Sequence, residues 1–294
     1  MIVKLYRGCI SPTLRAKIYD AFLGQMLSSL RNMPSWWKGI RIYVFSPFYP
    51  RNEYYDAFRF IGRHGVTFYP FKTSMKYKQA DIKVNTSGGG YPYVLHNGKK
   101  LYFPKQWETN RVSGLYLSLI TEQDPNSAHR YVESYDELAG KTLLDIGAAE
   151  GIFALDAIEH VKKVYLFECD EEWIEPLQMT FSPWKEKVEF VYKYVGCKND
   201  GRCITLDAFM KGKEQDNLHI KMDIEGAELS ALYGAWRLLA GGTSVTLSVC
   251  VYHKEDDAEN IPLFLSSLGY CCQITRGLMF LTPHMRKGIC RGKK

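Results

Sequence analysis

The stretch that decides the fold runs from Thr142 to Glu168 and reads TLLDIGAAEGIFALDAIEHVKKVYLFE. Residues 142–146 form a short apolar run, apolar side chains then recur at helical spacing from Ile152 to Ile158, and a second apolar run ends on Glu168. This order predicts a strand, a glycine turn, a helix and a second strand. Such a βαβ unit leaves a crevice for a nucleoside-containing ligand at the carboxyl ends of its parallel strands.

The turn inside this unit indicates which cofactor the crevice holds. Its residues are Asp145, Ile146, Gly147, Ala148, Ala149, Glu150 and Gly151. They lack the G-x-G-x-x-G spacing of dinucleotide sites, and carboxylates flank Gly147 on both sides, where they would repel a pyrophosphate. S-adenosyl-L-methionine has no phosphate, and acidic side chains can hold its sulfonium and ammonium groups. The sequence therefore favours S-adenosylmethionine over NAD.

Residues on the following strands complete the predicted cofactor site. Glu168, at the tip of the second strand, is placed to accept hydrogen bonds from ribose hydroxyls, and Gly147 is expected to leave room for the methionine part of the cofactor. The alternative is that Gly147 and Gly151 only turn a buried strand while the acids cap a helix. The predicted cofactor-binding residues are Asp145, Gly147, Ala148, Ala149, Glu150, Gly151, Glu168, Val195 and Asp223.

The composition is that of an ordinary globular chain. The 294 residues are 46% hydrophobic and 24% charged, which argues against disorder. No run approaches the roughly 18 to 20 apolar residues of a membrane span. The start, MIVKLYRGCISPTLR, lacks the apolar region of a signal peptide, so the expected location is the cytoplasm. The eight cysteines show no C-x-x-C spacing, which favours buried free thiols over a zinc site or a disulfide framework.

Charge is distributed unevenly along the chain. The net charge is +6, but residues 1–134 carry 19 basic and 8 acidic side chains (+11), whereas residues 135–294 carry 19 and 24 (−5). A basic first half suits an acidic partner such as a phosphorylated sugar or a nucleic acid. Solvated surface lysines are the alternative explanation.

Three regions are predicted along the chain. Residues 1–90 form a smaller α+β accessory module, residues 91–134 a hairpin and connector that cover the active site, and residues 135–294 the cofactor-binding domain. A hairpin is expected about Asn97-Gly98, a dipeptide that prefers tight turns. We call the polar segment TEQDPNSAHRY, residues 121–131, the connector. The other elements predicted in the first 120 residues are helices over 12–33, 53–63 and 110–119 and strands over 40–45 and 66–69.

Helices and strands alternate after Glu168, which implies a doubly wound α/β sheet. The predicted strands cover 188–195, 219–223 and 244–251, followed by a final pair, 271–275 and 278–282, about Arg276-Gly277. The predicted helices cover 173–181, 229–239 and 261–268, and residues 204–209 approach a further helix.

Four motifs, DIGAAEG, LFECD, DIEGAE and VYHKEDD, resemble the FkbM family of S-adenosylmethionine-dependent methyltransferases, over roughly residues 91–283. The resemblance implies a class I methyltransferase (Rossmann-like) fold, in which a sheet of seven strands has its last strand antiparallel. It also implies O-methylation of hydroxyls, often on sugars or polyketide-like products. The residues that match the family's motifs are Asp145, Gly147, Gly151 and Glu168 for the cofactor, Asp223, Glu225 and Gly226 for its DIEG element, and Tyr252 and His253 for its tyrosine-histidine pair.

Methyl transfer to a hydroxyl requires in-line alignment of the acceptor oxygen and a base that removes its proton. Asp223 and His253 follow adjacent predicted strands at the carboxyl edge, so each is a candidate base, and His129 of the connector is a third. The alternative roles are a helix cap for Asp223 and a hydrogen-bonded structural role for His253. A divalent metal held by Asp223 with Glu225 or His253 would instead acidify the acceptor hydroxyl.

The sequence leaves three functions open. The first is a methyltransferase acting on a hydroxyl of a sugar, a glycan precursor or a related small molecule. The second is a cofactor-binding protein without turnover, in which residues 1–90 recognise a partner. The third is an RNA methyltransferase, which only the basic first half supports. The expected acceptor is a small molecule or glycan, acidic or phosphorylated in character, and nucleic acid is disfavoured.

Overall fold

The computed structural model describes residues 53–281 and 284–294. The helix predicted over 12–33 and the strand predicted over 40–45 lie outside the described residues. The first described elements are α1 (Glu53–His64), β1 (Asn85–Thr86), β2 (Pro92–His96), β3 (Lys99–Tyr102) and α2 (Thr109–Glu122). Strands β1, β2 and β3 form an antiparallel sheet. The hairpin about Asn97-Gly98 is confirmed, with φ angles of 50° and 80° that suit a two-residue turn.

The rest of the chain alternates strands and helices, as the sequence predicts. Its elements are β4 (Thr142–Ile146), α3 (Ile152–Ala157), β5 (Lys163–Phe167), α4 (Glu171–Phe181), β6 (Val188–Val191), β7 (Tyr194–Val195), β8 (Cys203–Ile204), α5 (Leu206–Phe209), β9 (Leu218–Met222), α6 (Glu228–Tyr233), α7 (Trp236–Ala240), β10 (Val245–Cys250), α8 (Asp257–Ser267), β11 (Cys271–Ile274), β12 (Met279–Leu281), β13 (His284–Arg286) and β14 (Ile289–Lys293).

A seven-stranded sheet organises these elements in the order β11-β14-β10-β9-β4-β5-β6. Strand β14 is antiparallel to β10 and to β11, whereas β10, β9, β4, β5 and β6 run parallel to one another. The class I methyltransferase fold, with its last strand antiparallel, is therefore confirmed. The strand order reverses between β4 and β9, and ligands of such sheets bind at that switch point, outside the carboxyl ends of the strands.

Helices cover both faces of this sheet, which explains the nearly continuous apolar runs of its central strands. Leu143 of β4 packs into one buried cluster with residues of α3 and α4, while Leu144 packs into a second cluster with residues of α6 and α8. All five residues of β4 and of β9 are buried. Polar side chains within these strands therefore need partners inside the protein.

Several predicted elements differ from those in the structure. The strand predicted over 188–195 ends at Val191, because residues 194–195 pair with β8 in a separate two-stranded sheet. The helix predicted over 229–239 is broken between α6 and α7, where a side chain on Gly234 would lie 2.0 Å from the Gly196 carbonyl oxygen. The strand predicted over 66–69 is wrong, since these residues join none of the described sheets.

The predicted final pair of strands about Arg276-Gly277 is also wrong. Strand β11 pairs with β14, which enters the sheet between β10 and β11, and β12 pairs with β13. Periodicity marks each strand, but a partner that lies farther along the chain is fixed only by tertiary structure.

The division into regions 1–90, 91–134 and 135–294 stays a prediction. No helix in the described residues has the length and apolar character needed to cross a membrane. All cysteines in this part of the chain are free thiols, of which Cys250 and Cys290 are buried while Cys197 and Cys271 are exposed.

Candidate functional site

The ends of β4 and β9 touch at Gly147, at the switch point of the sheet. The Asp223 backbone N–H donates to the Ile146 carbonyl at 3.0 Å. Gly147 has a φ of 76°, and a Cβ at this position would lie 1.9 Å from the Asp223 carbonyl oxygen. Only glycine fits such a contact without moving the backbone. The turn after β4 is thereby held directly against the residue that follows β9.

A cavity of about 580 Å³ opens beside this contact. The predicted cofactor residues that line it are Gly147, Ala149, Glu168, Val195 and Asp223. Phe167, Trp173 and Ile224 add apolar surface, which suits the flat face of a nucleobase. Asp145, Ala148, Glu150 and Gly151, which the sequence also assigns to cofactor binding, do not line this cavity.

Glu168 closes the turn as well as lining the cavity. One carboxylate oxygen accepts a hydrogen bond from the Ala149 backbone N–H at 2.8 Å. The other accepts from the N–H groups of Cys169 at 2.7 Å and Asp170 at 2.8 Å. Because each carboxylate oxygen has two lone pairs, the Ala149-bonded oxygen keeps the capacity to accept from a ligand hydroxyl.

The remaining turn residues are engaged inside the protein. Gly151 has a φ of 82°, and a Cβ there would lie 2.8 Å from side-chain atoms of Leu177 and Phe181 in α4. Ala148 and Glu150 are buried, and burial raises the pKa of Glu150 to about 7. Gly151 therefore serves the packing of α3 against α4.

Asp145 forms a buried ion pair with Lys221. The Lys221 ammonium lies 3.0 Å from an Asp145 carboxylate oxygen and donates to the Gly147 carbonyl at 2.5 Å. Burial acts to lower the pKa of Lys221, but the charges of Asp145 and Asp223 outweigh it and raise the pKa well above its usual value. Asp145 thus holds a structural cation under the turn instead of facing the cavity.

Asp223 lies at the centre of a cluster of aromatic and imidazole side chains. Tyr131 donates its hydroxyl to Oδ2 at 2.7 Å, and Tyr252 donates to Oδ1 at 3.1 Å. Burial acts to raise the pKa of Asp223, but Lys221, His129 and the Tyr131 hydroxyl outweigh it and lower the pKa to about 2. Asp223 is therefore ionised at neutral pH.

His129 and Tyr252 form the inner side of this cluster. The His129 Nε2 lies 3.0 Å from the Tyr252 hydroxyl and 3.6 Å from Asp223 Oδ2. Since Tyr252 gives its proton to Asp223, the His129 Nε2–H is the donor to Tyr252. Burial lowers the pKa of His129 to about 4, and Nδ1 is buried without a partner. His129 is a neutral imidazole that does not line the cavity.

His253 pairs with the fully buried Glu228. Its Nδ1 lies 2.7 Å from Glu228 Oε1, and its Nε2 lies 3.5 Å from Asp223 Oδ1 and 3.6 Å from the exposed carboxylate of Glu225. Burial acts to lower the pKa of His253, but the hydrogen bond and charge of Glu228 outweigh it and raise the pKa. The structure thus brings the three predicted bases together. His253 does not line the cavity, but its Nε2 lies within 3.6 Å of the cavity residues Asp223 and Glu225.

The connector is fixed over the strand ends by contacts with β10 and β14. Ser248 donates its hydroxyl to the Tyr131 carbonyl at 2.8 Å, and Arg291 donates to the carbonyls of Tyr131 at 2.9 Å and Arg130 at 2.8 Å. A Cβ at Gly288 would lie 1.9 Å from the Ala128 carbonyl oxygen, so the chain before β14 also touches the connector. These contacts position Tyr131 above Asp223.

Sequence reasoning missed several members of the site. Tyr131, in the connector, and Glu228, in the DIEGAE motif, have no role predicted from the sequence. Lys221 had a usable signal, because a lysine inside a strand that is buried at every position must pair with an acid.

Two groups of side chains in the described residues have the ligand types and proximity of a metal site. They are His129, Asp223 and Cys250, and Asp223, Glu228 and His253, with ligand atoms within 4.8 Å of one another. In the second group the His253 Nε2 and an Asp223 oxygen are 3.5 Å apart. Two ligands of one divalent ion show a similar separation at metal–ligand bonds of about 2.1 Å.

No family model matches this chain, and no curated protein matches it. Among solved structures, it resembles the methyltransferase FkbM from Methylobacillus flagellatus, at 20% identity over 63% of this chain and 53% of that chain, with a TM-score of 0.42. It also resembles a putative RNA methyltransferase from Pyrococcus horikoshii, at 16% identity over 75% and 96% of the two chains, with a TM-score of 0.37.

A third similar structure is a putative methyltransferase from Streptococcus mutans in complex with SAH, at 12% identity over 54% of this chain and 94% of that chain, with a TM-score of 0.40. This chain spans about half the length of the Methylobacillus protein.

Proposed function

We propose that this protein is an S-adenosylmethionine-dependent methyltransferase of the FkbM type, which methylates a hydroxyl of a sugar, a glycan precursor or a related small molecule. The observation that carries the proposal is the make-up of the 580 Å³ cavity. Glu168, Gly147 and Val195 line it together with Asp223, and Asp223 lies beside the His253–Glu228 pair. The proposed nucleoside site therefore lies next to the His253–Glu228 pair, and Asp223 is the residue between them.

The cavity residues fit S-adenosylmethionine in shape and charge. Phe167 and Trp173 offer apolar surface for adenine, and Glu168 offers a carboxylate oxygen for the ribose hydroxyls. Asp223 and Glu225 place negative charge where the sulfonium is expected. When bound there, the cofactor supplies an electrophilic methyl group. Lys193 is the basic residue among the lining side chains in the described part of the chain.

We assign the base to His253. A general base works best when its pKa is near the working pH, and Asp223, with a pKa of about 2, is a weak base. His253 has its Nδ1 fixed by Glu228, which leaves Nε2 to take the acceptor proton, and Glu228 stabilises the imidazolium that forms. Asp223 then acts through its negative charge beside the His253 Nε2. His129 is a positioning residue that holds the Tyr252 hydroxyl.

A divalent metal is the second chemical possibility for the same residues. Three carboxylates, from Asp223, Glu225 and Glu228, lie within 3.6 Å of His253 ring nitrogens, and this excess of negative charge favours a cation. His253 Nε2 with oxygens of Asp223 and Glu225 would hold the ion, while Glu228 would orient the imidazole from behind. Such an ion would acidify the acceptor hydroxyl.

The proposal is tested first by calorimetric titration with S-adenosylhomocysteine, then by methyl transfer to a panel of nucleotide sugars, glycans and RNA. We expect binding, followed by transfer to a sugar-containing acceptor. Binding with no transfer to any acceptor would support a cofactor-binding protein without turnover, and transfer to RNA alone would support an RNA methyltransferase. Absence of binding would refute all three functions.

The role of His253 is tested by His253→Ala. We expect nearly unchanged cofactor affinity and turnover lower by about 10² to 10⁴, the usual contribution of a general base. His160→Ala, which alters a histidine paired with Asp136 outside the site, is the matched control and should turn over normally. Loss of turnover on chelation, with recovery on adding Mg²⁺ or Mn²⁺, would replace the base assignment by the metal one.

A further inference from the structure

A second cavity, of about 520 Å³, lies between the connector and residues in or next to β11 and β14. Connector residues Ser127 and Arg130 line it together with Thr275, Arg276 and Arg291. Glu133 is the acidic side chain among the described lining residues, against three arginines. The cavity therefore carries an excess of positive charge.

The three arginines differ in how far their nitrogens are satisfied. All three side-chain nitrogens of Arg291 have partners, because two donate to connector carbonyls and the third pairs with Glu133 at 3.2 Å. The Glu133 side chain is 74% exposed. Arg130 donates to the carbonyls of Gln123 and Glu133, but its Nε is buried without a partner. Arg276 is exposed and has no partner among the described residues.

Unsatisfied guanidinium groups around a concave space indicate the charge of what they bind. A buried N–H without an acceptor is unfavourable, and planar guanidinium groups match the oxygens of phosphate and carboxylate. The neutral part of the wall includes the Ser127 hydroxyl, which accepts from the His129 backbone N–H and keeps its own proton for an oxygen atom of the ligand. A cavity of several hundred Å³ suits a small ligand.

We propose that this cavity is a binding site for a small oxyanion, such as the phosphate or carboxylate group of a metabolite, held by Arg276 together with Arg130, while Arg291 adds positive charge to the wall. The site is separate from the cofactor cavity, and the two share no lining residue in the described part of the chain. The connector links them, because Arg291 holds the Tyr131 carbonyl while the Tyr131 hydroxyl holds Asp223.

The test is calorimetric titration of the full chain with inorganic phosphate, glucose 6-phosphate and citrate, at constant ionic strength set by chloride. We expect at least one of these probes to bind and Arg276→Ala to weaken its binding about 10- to 100-fold, the effect of losing hydrogen bonds from one charged group. The probe that binds most tightly identifies the oxyanion. Binding is read without methyl transfer, so failure of the proposed activity leaves this test intact.

The matched control is Arg202→Ala, which removes an exposed arginine outside the cavity. We expect wild-type affinity from this variant. Because Arg276 has no described partner, its replacement should leave the unfolding temperature unchanged, and Arg276→Gln provides a second variant of similar size. Absence of binding by all three probes, or equal weakening by the Arg276 and Arg202 variants, would overturn the proposal.

Discussion

Replacement of Gly147 by alanine gives a sharp test of how the crevice is built. The φ of 76° costs a residue with a Cβ about 1 to 2 kcal/mol. The new Cβ would also lie 1.9 Å from the Asp223 carbonyl oxygen, so the ends of β4 and β9 must move apart. Overpacking of this kind costs about 1 to 3 kcal/mol. We therefore expect Gly147→Ala to lower the free energy of unfolding by about 2 to 5 kcal/mol.

Gly140→Ala separates the two contributions. Gly140 has a φ of 69°, but a Cβ there would meet nothing within 4 Å, so only the backbone cost of about 1 to 2 kcal/mol applies. Both variants are measured by urea denaturation and by titration with S-adenosylhomocysteine. Only Gly147→Ala should weaken binding, since it displaces Asp223. Equal stability of the two variants would refute the close contact between the strand ends.

Three further changes test other parts of the site. Glu168→Ala should weaken S-adenosylhomocysteine binding by about 1 to 3 kcal/mol, and unchanged affinity in a folded variant would contradict the ribose assignment. Lys221→Met should lower the free energy of unfolding by about 3 to 5 kcal/mol, because it leaves Asp145 buried and unpaired. Urea denaturation should show that adding Asp145→Leu restores most of the lost stability, and no restoration would argue against the ion pair. Burial lowers the pKa of His219 to about 3, so below pH 6.5 this histidine binds a proton in the unfolded chain but not in the folded one. The free energy of unfolding therefore decreases by about 1.4 kcal/mol for each unit by which the pH is lowered. His219→Gln should reduce this slope between pH 6.5 and 5, and an identical slope would exclude the histidine as its source.

The reason for Gly147 shows the limit of sequence reasoning about the turn. The sequence predicts a glycine that makes room for the methionine part of the cofactor. In the structure, the space beside the Gly147 Cα holds the Asp223 carbonyl. Gly147 and Asp223 are 76 positions apart in the sequence. The turn itself requires a glycine, and this requirement can be read from the local sequence. Which residue contacts that glycine depends on which strand lies beside β4, and this cannot be read from the local sequence.

The same distinction applies to the acids of the turn. Asp145 and Glu150 were assigned to the cofactor because a carboxylate beside glycine repels phosphate. The structure instead pairs Asp145 with Lys221 inside the protein, and β4 and β9 place these two residues directly opposite each other. A charged residue in a buried strand predicts that a partner exists, but the register of two strands decides which one.

The sequence by itself determined the βαβ unit, the alternation of strands and helices, the hairpin and the strand ends that carry Asp223 and His253. These follow from apolar periodicity and turn chemistry, which act over a few residues. Tertiary structure alone decided three features: the insertion of β14 between β10 and β11, the hydrogen bonds from Tyr131 and Tyr252 to Asp223, and the pairing of His253 with Glu228. Each of these depends on packing between distant segments, and many arrangements of the same local elements would satisfy the local rules equally well.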